Sequence, residues 1–345
     1  MSAITGERTL RVNPLRRLLV RPETGAVAGS IAVWIFFAIV AGSSGFVTSR
    51  GASSYLSVSA ELAIQAIPVA LLMIGGEFDL SVGSTVGACS MVIAILSTQF
   101  GLNIWASIVV SLLFAVLIGI LNGYLVMRTR LPSFIVTLGT AYILLGTTTG
   151  ITTLVTNGLT VVNGVQQAPG YDAAHAIFAT ALGGGQQFPI EIIWALVLVV
   201  LATWLLLGTT FGNWIFGVGG DANAARNVGV PVMRVKILLF VGTAVCSCLL
   251  GIIQTVSFTN ADVLRGQGNE FYAIVAAVVG GVLLTGGYGS AIGALFGSLV
   301  FGIVEEGIVF AGVDADWYKA FIGLILLLAV LLNSYVRKLA MEARR

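Results

Sequence analysis

The sequence predicts an all-α integral membrane protein with about ten membrane-spanning helices and both termini in the cytoplasm. Three observations predict it. The 345 residues include only 17 basic and 15 acidic side chains, 9 % of the chain, where a soluble domain carries roughly 25 %. The apolar share is 57 %, so most of the surface must face a solvent other than water. The 43 glycines fit helices whose backbones approach one another closely inside a bilayer.

Windows of about 19 residues divide the chain into elements. Residues 1–25 form a basic tail containing Arg8, Arg11, Arg16, Arg17 and Arg21. The apolar 26–46 that follows is read as an uncleaved first span rather than a signal peptide. Further spans are expected at 55–75, 80–98, 103–127, 133–151, 190–208, 235–255, 272–285, 291–312 and 317–336, and a second basic tail at 337–345. The third span is interrupted by Gly and Ser and the eighth is short; both features mark broken helices that line an enclosed cavity. Residues 26–336 thus make one transmembrane domain.

Sidedness follows from Lys and Arg. A cytoplasmic N-terminus leaves only Arg50, Arg265 and Lys319 outside, and the long 152–189 loop has neither residue type, as a translocated loop should. The loop holding Asp262, Arg265 and Glu270 is external on this reading. A weak repeat also appears: Gly75-Gly76 then Gly83-Ser84-x-x-Gly87-Ala88, against Gly280-Gly281 then Gly289-Ser290-x-x-Gly293-Ala294.

Several functions are excluded. The net charge of +2 gives no footprint for a nucleic-acid partner. Cys89, Cys246 and Cys248 lie in apolar stretches without Cys-x-x-Cys spacing, and His175 is the only histidine, so no metal site is expected. The lysines, Lys236, Lys319 and Lys338, follow no glycine-rich turn, so the chain lacks a phosphate-binding loop for ATP. Glu305 and Glu306 project about 100° apart on a helix, a poor acid/base pair. The chain is expected not to be an enzyme.

The most informative loop is Gly219-Gly220-Asp221-Ala222-Asn223-Ala224-Ala225-Arg226-Asn227-Val228-Gly229-Val230-Pro231. Asp221 is a good N-cap, Ala222–Val228 a two-turn helix, Gly229 its C′ residue and Pro231 a stop. A short capped helix between two spans is a rigid knob suited to a groove on a soluble partner. This stretch resembles the Gly-rich, Ala-Ala-Arg coupling segment of permease subunits of bacterial ATP-binding-cassette importers of the ribose/xylose/galactose type. Asp79-Leu80-Ser81-Val82-Gly83-Ser84 is similar to that family's Asp-Leu-Ser-Val-Gly signature. Leu131-Pro132-Ser133-Phe134-Ile135-Val136-Thr137-Leu138-Gly139 resembles its Leu-Pro-x-Phe-Ile-Val-Thr-Leu-Gly motif, and Gly266 through Gly293 its C-terminal block. The matches run in the family's order over about 55–332.

The resemblance implies one half of a permease dimer, with a second copy or a close homologue, in the bacterial inner membrane. It implies cytoplasmic ATPase subunits gripping the coupling helix at about 219–230 through Gly220, Asp221, Ala224, Ala225, Arg226 and Gly229. It implies a periplasmic or lipid-anchored solute-binding protein, and no cofactor in this chain, ATP and Mg belonging to the ATPase subunits. Two departures stand out. Glu77 replaces an apolar residue or Gly, and Glu305-Glu306 replaces the Asn-Asn of ribose-type members, so substrate identity does not carry over.

An ionised carboxylate inside a span costs at least ~2.5–3.5 kcal/mol unless it faces protein or water. Glu61, Glu305 and Glu306, with Gln65 and Asn122 as companions, are therefore candidates for the solute path, against interhelical hydrogen bonding as the plain alternative. Asp79, Ser81 and Gly83 form a turn that either caps the third span or gates the path. The rival function is a proton-coupled secondary transporter using Glu61, Glu305 or Glu306.

Overall fold

In the computed structural model, residues 22–183, 188–314, 317–324 and 327 are described. The chain is helical almost throughout: α1 (Pro22–Val40), α2 (Ser49–Ile74), α3 (Val82–Thr98), α4 (Ile104–Thr129), α5 (Ser133–Val155), α6 (Tyr171–Phe178), α7 (Glu191–Gly208), α8 (Thr210–Gly220), α9 (Ala222–Asn227), α10 (Val232–Phe258), α11 (Asn269–Val279) and α12 (Ala291–Phe310). Four short strands join them: β1 (Val161–Asn163), β2 (Ala181–Leu182), β3 (Phe188–Pro189) and β4 (Asn260–Asp262). β1 pairs with β4 and β2 with β3, both antiparallel.

Seven of these helices, α1, α2, α4, α5, α7, α10 and α12, are long and apolar enough to cross a bilayer. Ten were expected. The third expected span is the 17-residue α3 and the eighth is the 11-residue α11; both are too short to span alone. The tenth lies largely outside the described residues, as do most of the N-terminal tail and all of 337–345. The first span ends at Val40 rather than 46, because a 3-10 turn at Gly42–Ser44 closes on left-handed Gly45. Thr48 then caps α2, accepting from the Gly51 amide at 3.2 Å, so the helix starts at Ser49, six residues before the expected 55.

Burial separates a centre from a rim. The apolar window of α2 is 78 % buried inside the chain and that of α12 61 %, against 17 % for α1 and for α5. Small residues set the central spacing. A Cβ on Gly119 or Gly123 of α4 would strike the α10 backbone at Val241 or Ile237, so those helices meet almost backbone to backbone.

Two helices end in the same way. α2 closes with Gly76 (φ +82) donating to Met73 and Glu77 donating to Leu72; α11 closes with Gly281 (φ +90) donating to Val278 and Val282 donating to Ala277. Each is a Schellman closure with glycine at the left-handed position. The Gly-Gly repeat is thus a repeated helix stop. Its second half diverges: Ser290 is the N-cap of α12, accepting from the Gly293 amide at 2.9 Å, whereas Gly83 lies one residue inside α3.

Candidate translocation site and coupling surface

After Gly76 the chain does not turn straight into α3. It climbs along α10, with Glu77 paired to Lys236 and Asp79 bonded to Thr243. α3 therefore begins about three helical turns along α10 from its first residue. Non-helical backbone at this depth needs partners within the protein. Ser133 Oγ accepts from the Phe78 amide at 3.0 Å and Thr137 Oγ1 from the Leu80 amide at 2.9 Å. These residues lie four apart on one face of α5. The Asp-Leu-Ser and Leu-Pro-Ser motifs are one physical unit: the second supplies acceptors for the broken backbone of the first.

Asp79 anchors the centre of this unit and is 1 % exposed. Its Oδ1 accepts from the Ser81 amide at 2.9 Å and the Ser81 hydroxyl at 2.6 Å, and its Oδ2 accepts from Thr243 Oγ1 at 2.7 Å. Asn122 donates to Ser81 Oγ at 2.9 Å and accepts from Thr140 at 2.7 Å. Four helical segments are tied together. The expectation that Asp79 caps α3 is corrected: Ser81 holds the N-cap position, with no side-chain cap bond, because Asp79 is turned toward α10. Asn122 is likewise held in this network and does not line the cavity described next.

That cavity, about 460 Å³, is lined by Val58, Glu61 and Leu62 of α2, Gln254 and Phe258 of α10, Arg265, Gly266, Asn269, Tyr272, Glu305 and Tyr318. Glu61 and Glu305, two of the five path candidates, both line it. Gln65, one turn below Glu61, is instead buried with its amide donating to the Val82 carbonyl at 3.3 Å; Glu306 is half-buried beside Glu305 and lines no part of the cavity. Gln254 Nε2 donates to Glu61 Oε2 at 2.6 Å, and Tyr318 hydrogen-bonds Glu305.

Arg265 lines the cavity from the loop before α11. Its loop folds back into the protein, since a Cβ on Gly83 would overlap Gly266 and Glu270 and one on Gly87 would press on the Val263 and Arg265 carbonyls. The guanidinium lies 5.2 Å from the Phe258 ring centroid and donates to the carbonyl and side-chain oxygens of Asn260. Gln254, Asn269, Tyr272 and Tyr318 were the residues that sequence reading missed. Gln254 left a trace, an amide inside an apolar span; the others sit at span ends, where polar side chains are unremarkable.

On the other side, α9 is a capped knob. Asp221 Oδ1 accepts from the Asn223 and Ala224 amides at 2.8 and 3.0 Å, and Gly229 (φ +90) lies beyond its end. Asn223, Ala224, Arg226, Asn227 and Val228 are exposed, while Ala225 faces the protein. The helix ends at Asn227, one residue short of expectation. Gly219 lies against the end of α2: a Cβ there would overlap the Ile74 carbonyl, which also accepts from the Gly287 amide at 2.8 Å. The knob's base is thus clamped between the stop of α2 and the loop before α12.

A bundle of apolar helices with short broken elements, a polar cavity between helices and an exposed capped helix defines a multi-pass membrane permease. Residues 51–330 match the family described as branched-chain amino acid transport system / permease component, and the chain belongs to that family. It is similar to the autoinducer 2 import system permease protein LsrD of Photorhabdus laumondii, 31 % identical over 78 % of each chain. The ribose import permease protein RbsC of Escherichia coli (strain K12) is 30 % identical over 88 % of this chain and 92 % of its own. The fructose import permease protein FruG of Bifidobacterium longum is 30 % identical over 82 % of each. No solved structure matches significantly.

Proposed function

We propose that this chain is the transmembrane permease subunit of an ATP-binding-cassette importer that moves a sugar or sugar-like solute across the bacterial inner membrane. The observation that carries this reading is the clamp at Gly219, which joins the exposed capped helix to the stop of α2 and to the loop before α12. A push on α9 by a cytoplasmic ATPase subunit would bear directly on both. The relatives' names, import permeases for ribose, fructose and autoinducer 2, support a polyhydroxylated solute over the amino acids of the family's description.

In this reading Gly220, Asp221, Ala224, Ala225, Arg226 and Gly229 form the ATPase-coupling surface. Glu61, Gln254, Arg265, Tyr272, Glu305 and Tyr318 line the solute path, and Asp79 with Ser81 and Gly83 holds the break that lets α3 and α2 move as separate pieces. Both termini are cytoplasmic, and α3, α11 and the helix starting near 317 complete a ten-element topology with a single transmembrane domain at 26–336. A second permease chain and a solute-binding protein complete the assembly, while ATP and Mg are held by the ATPase subunits. Differences in solute affinity between outward- and inward-open states give the transport its direction.

The test is uptake in cells. Accumulation that survives a protonophore and stops when the ATPase subunit is deleted fits the importer; the reverse pattern establishes a proton-coupled transporter instead.

A further inference from the structure

Both ends of α9 lead to the same few residues. Before it, Gly219 lies against the stop of α2: a Cβ on Gly219 would overlap the Ile74 carbonyl, and one on Gly76 would touch the Gly219 Cα. After it, the chain turns through Gly229 and Pro231 into α10, whose fifth residue, Lys236, is paired with Glu77. Residues 74–77 thus meet the exposed helix from both sides.

The ion pair belongs to a stripe of contacts. Lys236, Leu239 and Thr243, at i, i+3 and i+7, lie on one face of α10. A Cβ on Gly75 would strike the Leu239 side chain, and Thr243 donates to Asp79. Of the three contacts, the pair is the nearest to α9 in the chain, and its side chains are only 12 % (Glu77) and 11 % (Lys236) exposed. Charges so far withdrawn from water are costly to separate.

Flexible points flank this pair. Gly76 (φ +82) precedes Glu77, and Gly229 (φ +90) stands between α9 and α10; glycine changes its backbone angles at little cost. A displacement of α9 would be taken up at these glycines if nothing stiffer bridged them. Packed groups that stay in contact transmit strain.

We propose that Glu77 and Lys236 are positioning residues of the transport cycle, an ionic strut that carries a displacement of α9 past both glycines into the broken backbone at 77–81. With the strut in place, the first turn of α10 and the break move as one body, and α3 follows. Without it, an ATPase subunit still grips α9, but the break no longer responds. The proposal rests on the reading of α9 as the ATPase-coupling surface, and the experiment separates the two.

The full-length permease is assembled with its cognate ATPase subunits in lipid nanodiscs. Backbone hydrogen exchange is then compared without nucleotide and with ATP trapped by vanadate. In the wild type, exchange should change at α9 and at the amides of 78, 80 and 81, the latter by about fivefold or more, the low end for coupled sites. Glu77→Gln with Lys236→Met removes both charges and strands neither. Without nucleotide this variant should match the wild type at 78–81; with trapped ATP its α9 response should persist and its 78–81 response should be lost. Exchanging the charges, Glu77→Lys with Lys236→Glu, should restore that response. A neutral variant that keeps the 78–81 response, or whose 78–81 amides are already unprotected without nucleotide, overturns the strut, as does an exchanged pair that restores nothing. A wild type that responds at α9 but not at 78–81 overturns it too. No response at α9 in the wild type instead removes α9 as the coupling surface, and the strut with it.

Discussion

Two carboxylates in this protein, Asp79 buried and Glu61 half-buried, have opposite surroundings. Asp79 has donors on both oxygens and lies in a closed network of Ser81, Asn122, Thr140 and Thr243. Glu61 opens onto a cavity, and the amide that donates to it leaves its own oxygen unpaired. Glu61 stands inside the apolar α2 and Asp79 in the break between α2 and α3, and both break the composition rule for a bilayer. The difference lies in completion: a satisfied polar network fixes geometry, whereas an unsatisfied one waits for a ligand. On the proposed function, Asp79 belongs to the architecture and Glu61 to the solute path.

This contrast breaks most sharply at Asp79. Asp79→Ala orphans the Ser81 amide and hydroxyl, leaving Thr243 its Phe240 carbonyl, and should cost roughly 3–5 kcal/mol, since each buried unpaired group costs about 1–3 kcal/mol. Thermal unfolding of the detergent-purified protein should fall steeply; a shift within about 2 °C would show that the network is not structural.

Thr137→Val comes next. It removes the acceptor for the Leu80 amide while keeping side-chain volume, and about 1–3 kcal/mol should be lost. Backbone hydrogen exchange at residues 78–81 should rise relative to that in α2. Unchanged protection would separate the two motifs that the structure joins.

Smaller still is Asp221→Ala, which removes the α9 cap at a cost of about 1 kcal/mol. Global unfolding should barely move because α9 is exposed on one side, yet solute-stimulated ATP hydrolysis by the assembled importer should drop. Full stimulation would exclude α9 as the point of coupling.

The smallest effect on stability is expected at Glu61→Gln, which keeps shape and one acceptor; the change should stay within about 0.5 kcal/mol. Uptake, in contrast, should fall by about tenfold or more at equal membrane levels, as expected for loss of a charge-assisted contact with the solute. A variant with lowered unfolding temperature and intact uptake would move Glu61 into the same class as Asp79.

Much of this was legible in the sequence. The Asp221 cap, the helix after it and Gly229 beyond its end follow from local chemistry, because capping depends on residues within one turn. That Glu61 and Glu305 must face protein or water followed from the cost of a carboxylate in an apolar helix; that they share one cavity did not. What composition hid was the role of Asn122, which a path-lining pattern and a structural network would mark identically, and the inward fold of Arg265, whose charge reads as external from the loop alone.

The sequence by itself determined that the chain is a bundle of apolar helices and which side chains are too polar for lipid. These are properties of single segments and of transfer free energies, which are local. Only the tertiary structure decided that Ser133 and Thr137 complete the broken backbone at 78–80, and that Gly219 is pinned between Ile74 and Gly287. It alone decided which carboxylate is satisfied and which is left open. Those outcomes depend on hydrogen-bond partners 55 or more residues apart in the chain, and no local pattern specifies which distant donor meets which acceptor.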